Sequence, residues 1–357
     1  CVWLAWVLLF ICAHAAMSGS GLSYEILLAC PEGLKKSAIC ADLSPRFDAI
    51  CTGDIEDRIV KEWERRCLEN PKLYNGSKFR LASVRRKRAE SRERSTQQGE
   101  ASPEEGPQIS VQLGLTDYRS FIGTNLHVGW QHLVIEDDAP TPPKNKQTFR
   151  TRNRASGNPD VFVTIWEGMG MPGRHLANGL GNAAVVETVD GGVVLLKRSG
   201  QVGEFPFAIV LPGGHPEPSK LGLDSIGTWK RVVGEGPDGV PRSAEVMDEL
   251  FSSISAEVHE ETGIPLDSLL EPVLLGFTRR VENHRPCMVF KVATTLQRAE
   301  VEAAYLSEGV QDRFESTKLY TLSASELIAQ VQRSDAGVPG DHVGGVKLYE
   351  AHLALQT

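Results

Sequence analysis

The chain has 357 residues, enough for two domains or one elaborated domain, with 41% hydrophobic and 24% charged residues as in an ordinary folded protein. Its net charge of −8 argues against whole-chain affinity for nucleic acid or an anionic membrane, since both demand surplus cations. Seven cysteines are odd in number and form no CxxC pair or Cys/His zinc spacing, so reduced thiols are expected rather than a disulfide framework.

Residues 2–11 form an apolar run followed by CAHAAMSGSG, the outline of a signal h-region. No Lys or Arg precedes the run, and Met17 offers a start further on. Residues 1–23 therefore read as an apolar extension, either signal-like or lying upstream of the true start. The expected location is cytoplasmic, with secretory or organellar targeting if residues 1–16 are genuine. Only then would a membrane be a partner.

Residues 24–30 (YEILLAC) read as a short buried strand. Ile55, Ile59, Trp63 and Cys67 recur every four positions, so residues 55–68 form a helix, with Asp54 as N-cap and Asn70-Pro71 as the stop. Strands follow at 78–84 and 109–115. Between them, residues 85–108 run from basic RRKRAESRER to acidic and polar QQGEASPEEGP. Such a stretch cannot bury enough surface to order itself, and RRKR reads as solvated rather than as a nucleic-acid patch. These segments make residues 24–138 an N-terminal α+β accessory domain with a disordered insertion at 85–108. A linker rich in Pro, Asn, Lys and Arg spans 139–160, and residues 161–357 are the second domain. There, strands at 183–188 and 193–197 flank the Asp190-Gly191-Gly192 turn. Further strands are expected at 207–211, 272–278, 288–295 and 318–321, with a helix at 324–332. The mixture specifies an α/β fold.

The helix from Ser243 (the expected N-cap) to Gly263 carries the chemistry. Val246, Leu250, Ile254 and Val258 make its buried stripe, and Gly263 with Pro265 ends it. Glu257 and Glu261 lie beside that stripe, with Glu260 at its edge. Two glutamates four apart stand roughly 6 Å from each other and repel by about 3 kcal/mol at an effective dielectric of 20. A divalent cation with oxygen ligands resolves that repulsion. The alternative is a set of solvated glutamates at a helix end. Gly213-Gly214 after a strand favours the cation, because a bare backbone can approach it closely.

Together these residues resemble the Nudix box, GX5EX7REUXEEXGU. Gly214 matches its first glycine, Glu257 the glutamate of REU, Val258 the apolar position, Glu260-Glu261 the EE pair, and Gly263-Ile264 the closing GU. Ala256 stands where the box has arginine, and an insertion at residues 219–242 stretches it. The box's early glutamate falls near Asp248 or Glu249. Further segments, YEILLACPEGL, LSPRFDAI, NPKLYNGSKFRL, LGLTDYRSFIGTN, LPGGHPEP, ELFSSI and FEST, are similar to the uridine diphosphate glucose pyrophosphatase branch of the Nudix hydrolases.

The resemblance implies a Nudix α/β/α sandwich with an N-terminal accessory domain. It also implies Mg2+-dependent hydrolysis of UDP-glucose or UDP-galactose to UMP and sugar 1-phosphate, with Mn2+ as a substitute ion. Carried over by position, Glu257 and Glu261 hold the metal, joined by Glu260 and the Gly213 carbonyl. The partner implied is a small nucleotide-sugar. Other readings are a Nudix hydrolase of ADP-ribose or another nucleoside diphosphate derivative, and a non-catalytic Nudix-fold nucleotide-binding protein. Lys197-Arg198 and Arg279-Arg280 are candidate phosphate clamps, or else strand-end surface cations. Glu282 and Glu315 are candidate general bases. His215 is a phosphate contact or an inert turn residue. Asp117, Tyr118, Arg119 and Asn125 bind nucleotide or fix the domain interface.

Overall fold

Residues 23–86, 107–134, 148–151, 161–164, 173–202, 204–235, 237–307, 314–332 and 337–356 are described in a computed structural model of the chain. The apolar extension, residues 87–106 and most of the expected linker lie outside these. The N-terminal half supplies β1 (Tyr24–Leu34), β2 (Ile39–Leu43), α1 (Gly53–Glu69), β3 (Ser77–Arg86), β4 (Ile109–Asp117) and α2 (Tyr118–Gly123). An antiparallel pair follows, β5 (Thr148–Thr151) and β6 (Val161–Thr164). Then come β7 (Gly181–Glu187), β8 (Gly192–Arg198), β9 (Ile209–Val210), α3 (Ile226–Glu235) and α4 (Ser243–Thr262). The chain ends with β10 (Val273–Arg280), β11 (Pro286–Ala293), α5 (Arg298–Leu306), β12 (Ser316–Ser323), α6 (Ala324–Val331) and α7 (Gly340–Gln356).

The larger sheet runs β1-β10-β11-β7-β8-β12, with β9 beside β8, and only β11 and β7 pair in parallel. Side chains alternate between its faces with the period of two that a pleated strand imposes. Ala184, Val186, Val194 and Leu196 point to one core, shared with Val246, Leu250, Ile254 and Val258 of α4. Ala183, Val185, Val193 and Leu195 point to the other, against Leu327 of α6 and Val346 and Tyr349 of α7. This is the expected α/β/α sandwich.

The accessory region is a three-stranded sheet, β2-β4-β3. Its Phe79, Leu81, Ile109 and Leu113 join the same core as α4, so the two sheets share one apolar interior. The expected division at 24–138 is also crossed by β1, which pairs with β10 of the larger sheet rather than with β2 or β3. The expected insertion starts later than residue 85, because Arg85 and Arg86 extend β3. Arg86 bonds Glu32 at 3.0 Å and the Ala29 carbonyl at 2.7 Å.

Local differences from expectation have identifiable causes. Thr52, not Asp54, precedes α1, and its hydroxyl donates to the Asp54 carboxylate. Ser243 is the first residue of α4 rather than its cap, because its hydroxyl accepts the Ala41 N–H at 2.9 Å. Glu245 closes that helix end instead, accepting the Arg242 N–H at 2.6 Å. The strand expected at 207–211 shrinks to two residues because Phe207 sits at φ +66°, where extended pairing stops. Helix α7 escaped the periodicity reading because Gly344 and Gly345 interrupt its stripe. Both lie where the helix meets the sheet, and a Cβ on Gly344 would press on Thr278 and Tyr24.

Leu250, fully buried between α4 and both sheets, anchors this shared core. Leu250→Ala is expected to cost about 2–5 kcal/mol, measured by urea unfolding.

Candidate active site

Four side chains on α4 recur every four residues and so share one face: Glu249, Ser253, Glu257 and Glu261. That face clasps the loop leaving β9. Glu261 Oε2 accepts the Gly213 N–H at 2.8 Å, Glu257 Oε1 accepts the His215 N–H at 3.0 Å, and Glu249 Oε1 accepts the Glu217 N–H at 2.8 Å. The Gly214 N–H is taken by Asn182 Oδ1 at 2.8 Å, and the Asn182 amide donates in turn to Ser253 Oγ at 3.0 Å. Two glycines make this closeness workable. A Cβ on Gly214 would overlap the Glu257 carboxylate, and one on Gly213, at φ +155°, would strike the Asn182 backbone. The loop amides thus support the glutamates where the box has an arginine and this chain has Ala256. Glu249, 5% exposed, is the early acid that faces inward, whereas the Asp248 side chain is 64% exposed and pairs with Lys36 at 2.5 Å.

Glu261 is 5% exposed. Burial pushes its carboxyl well above the ordinary range, the Gly213 N–H opposes this, and the charges of Glu257 and Glu315 add to the rise while Arg198 offsets it. Glu257, Glu261, Glu315 and Arg198 therefore share one electrostatic neighbourhood. Glu260 is half-buried and makes no hydrogen bond or ion pair among the described residues.

A cavity of about 350 Å3 opens beside Glu257. Tyr74, Lys78 and Tyr118 of the N-terminal half form one wall, and His215, Ser219 and Asp224 form the other. The insertion supplies part of that second wall. It is held by Trp229, whose indole N–H donates to Asp48 at 2.8 Å, and by the Leu223 carbonyl, which accepts from Ser77 at 2.6 Å. Burial, with Arg285 adding to it, brings the Lys78 amine down to about 8, so it is cationic at neutral pH. Burial and the neighbouring charges of Lys78 and Arg285 keep the His215 imidazole well below its ordinary range. Neutral His215 accepts a hydrogen bond from Arg285 at 2.7 Å. Arg285 reaches on to Glu204 at 3.4 Å, and Glu204 to Arg280 at 2.5 Å.

Several candidates stand elsewhere. Arg279 is 3% exposed and forks onto Glu25 of the neighbouring strand, with Nε–Oε2 at 2.7 Å, while its buried Nη1 has no partner among the described residues. Arg280 is buried between Glu204 and Asp341, the latter at 2.7 Å. Asp117 caps α2, accepting the Ser120 N–H at 2.7 Å and the Asn75 amide at 2.9 Å, so both oxygens hold structure. Arg119 pairs with Glu56 at 2.5 Å, and Asn125 bonds the Asn283 carbonyl at 2.8 Å. Glu282 follows β10 in a turn. The spacing of the sequence missed Lys78, Arg285 and Tyr74. NPKLYNGSKFRL contained two of them, with no chemical pattern to single them out.

Among the described residues, no group of three or more His, Cys, Asp or Glu is arranged to hold a metal by itself. The five described cysteines form no disulfide with one another, and among the described residues no helix is long and apolar enough to cross a membrane.

The chain is similar to Nudix hydrolase 9 of Arabidopsis thaliana, 36% identical over 341 residues that cover 94% of this chain and 93% of that protein. It is also similar to the uridine diphosphate glucose pyrophosphatase NUDT22 of Mus musculus, 30% identical over 342 residues covering 93% and 92%. Among solved structures it is similar to the MutT protein of Methanosarcina mazei, with a TM-score of 0.31 and 17% identity over 50% of this chain and 94% of that one. No protein-family model matches. The chain belongs to the Nudix hydrolases, enzymes that act on phosphoanhydride bonds and generally use divalent metals.

Two expectations follow from the clasp. Gly214→Ala must displace the Glu257 carboxylate and is expected to lower turnover about 100-fold in steady-state assays. Glu261 binds its proton more tightly folded than unfolded, so stability falls as pH rises from the ordinary carboxylate range through the folded value. Glu261→Gln keeps an acceptor for Gly213 without the charge. In chelator, it is expected to be more stable than the parent at neutral pH, with the gain vanishing below about pH 4. Urea unfolding at both pH values measures this.

Proposed function

We propose that the chain is a Mg2+-dependent diphosphatase of UDP-sugars, cleaving UDP-glucose or UDP-galactose to UMP and the sugar 1-phosphate. The observation that carries this reading is the cavity that sets Glu257 beside a lysine amine and two tyrosines. A mixed surface of that kind suits a diphosphate joined to a flat base. The name of the mouse relative, a uridine diphosphate glucose pyrophosphatase, points the same way.

The donor set fits Mg2+, which is commonly held by one or two carboxylates together with substrate phosphate and water rather than by an all-protein cage. Glu257 and Glu261 would hold it, with Glu260 and the Gly213 carbonyl contributing. The carbonyls of Pro212 and Gly214 accept the N–H groups of Ala184 and Asn182, whereas that of Gly213 accepts none among the described residues. A buried carboxyl pressed by two like charges is also the group a cation would relieve. When bound, the ion supplies polarisation of a phosphoryl oxygen and a more acidic water.

The chain's residues do the rest. Glu315 takes the proton of the attacking water as its oxygen bonds to phosphorus. The bridging P–O bond then breaks, and its electron pair leaves with the departing phosphate. Arg198, in the field of Glu261 and with Nε unpartnered among the described residues, offsets the added negative charge. The clasp from α4 holds the loop and the α4 glutamates against each other, so that they need no rearrangement.

Phosphorus NMR of the protein with Mg2+ and UDP-glucose, UDP-galactose or ADP-ribose tests this. The expected products are UMP and sugar 1-phosphate, with turnover lost in Glu257→Gln. Glu315→Gln is expected to lower kcat by about 10²–10⁴-fold with little change in KM. Turnover of ADP-ribose alone would replace the substrate, and no turnover of any diphosphate would leave a nucleotide-binding protein.

A further inference from the structure

Lys78 stands at the N-terminal end of the accessory strand β3, far in sequence from the box, yet lines the same cavity as Glu257. Its ammonium lies over the Tyr118 ring, 5.8 Å from the centroid, and makes no hydrogen bond or ion pair among the described residues. Two neighbouring cations are already held: Arg285 by Glu204 and His215, and Arg280 by Glu204 and Asp341. Glu257, Glu217 and Glu204 lie within electrostatic range of Lys78, but none closes on it. Here the amine is left facing a cavity whose opposite side carries the glutamates.

The wall that bears it is rigid. Lys78 is paired in register with Thr116 of β4, between Ser77, whose hydroxyl donates to the Leu223 carbonyl at 2.6 Å, and the fully buried Phe79. Tyr118 sits at the start of α2, which Asp117 caps. Cation and ring are thus presented by fixed elements rather than by a mobile loop.

We infer that Lys78 is a substrate-binding residue that grips a phosphate of the nucleoside diphosphate, making the accessory sheet one wall of the active site. This rests on the diphosphatase reading of the same cavity. A lysine in this position acts as a point charge on phosphate oxygens, so its effect falls on binding in ground and transition states alike.

Calorimetric titration of the Mg2+-loaded protein with UMP and with ADP-ribose, beside steady-state kinetics, tests the assignment. Lys78→Met is expected to weaken UMP binding about 10- to 100-fold and to raise KM by a similar factor while kcat changes little. Lys78→Arg is expected to restore most of the affinity. Unchanged nucleotide affinity in Lys78→Met would overturn the proposal, as would failure of Lys78→Arg to rescue, which would mean that packing rather than charge was lost. If the parent binds ADP-ribose but not UMP, and that binding needs Lys78, the assignment stands and the uridine reading fails. If it binds neither, both fail.

Discussion

The structure depends on one device: a helix face whose polar residues hold a loop by its amides. Glu249, Ser253, Glu257 and Glu261 stack along α4 at one-turn intervals, and the loop from Gly213 to Glu217 lies against them as a line of N–H donors, with Asn182 bridging to Ser253. Each contact satisfies a backbone donor that would otherwise sit half-buried without a partner. The same bonds fix the carboxylates in place, so loop and acids position each other. The opposite side of α4, Val246 to Val258, is locked into the core, and this rigidity is what lets a charged face persist beside an apolar one. Partial burial of acids is costly in itself; amide donors reduce that cost, and a cation would remove more of it.

How far the sequence foretold this varies with how local each signal is. The α4 stripe, the Gly263 stop and the Gly213-Gly214 turn were legible because each depends on residues within a few positions. Glu257 and Glu261 were legible for the same reason. The pairing of Arg279 was not legible because its partner, Glu25, lies 254 residues away across a strand pair, a distance no spacing rule spans. Asp117 carried a readable signal, an acid three residues before a serine at a helix start, which should have marked it as a cap. Lys78 gave none, since a lysine opening a strand becomes informative only once the fold brings Glu257 opposite it.

In the sequence the insertion at 219–242 reads only as a segment that stretches the box. It is a structural joint instead. Trp229, 1% exposed, sits in the common core, and its indole N–H bonds an acid, Asp48, whose carboxyl burial has raised, though the Leu115 N–H and Trp229 oppose that rise. Through this contact and the Ser77–Leu223 bond, the segment that interrupts the box ties it to the accessory sheet. It also brings Ser219 and Asp224 to the cavity wall. A longer box here means a site with more than one source of side chains.

The placement of β1 bears on how such a molecule is made. The strand emerges long before its partner β10, which lies more than two-thirds of the chain later. Until β10 appears, the N-terminal strand has an unpaired edge, and the large sheet cannot be completed. Contacts of such sequence separation slow folding, and bare strand edges invite pairing with other chains. A nascent copy therefore stays unfinished while everything between the two strands is synthesised, with its productive closure postponed until β10 appears. Codon choice, chaperone capture and temperature during that interval become determinants of yield, independent of how stable the finished enzyme is.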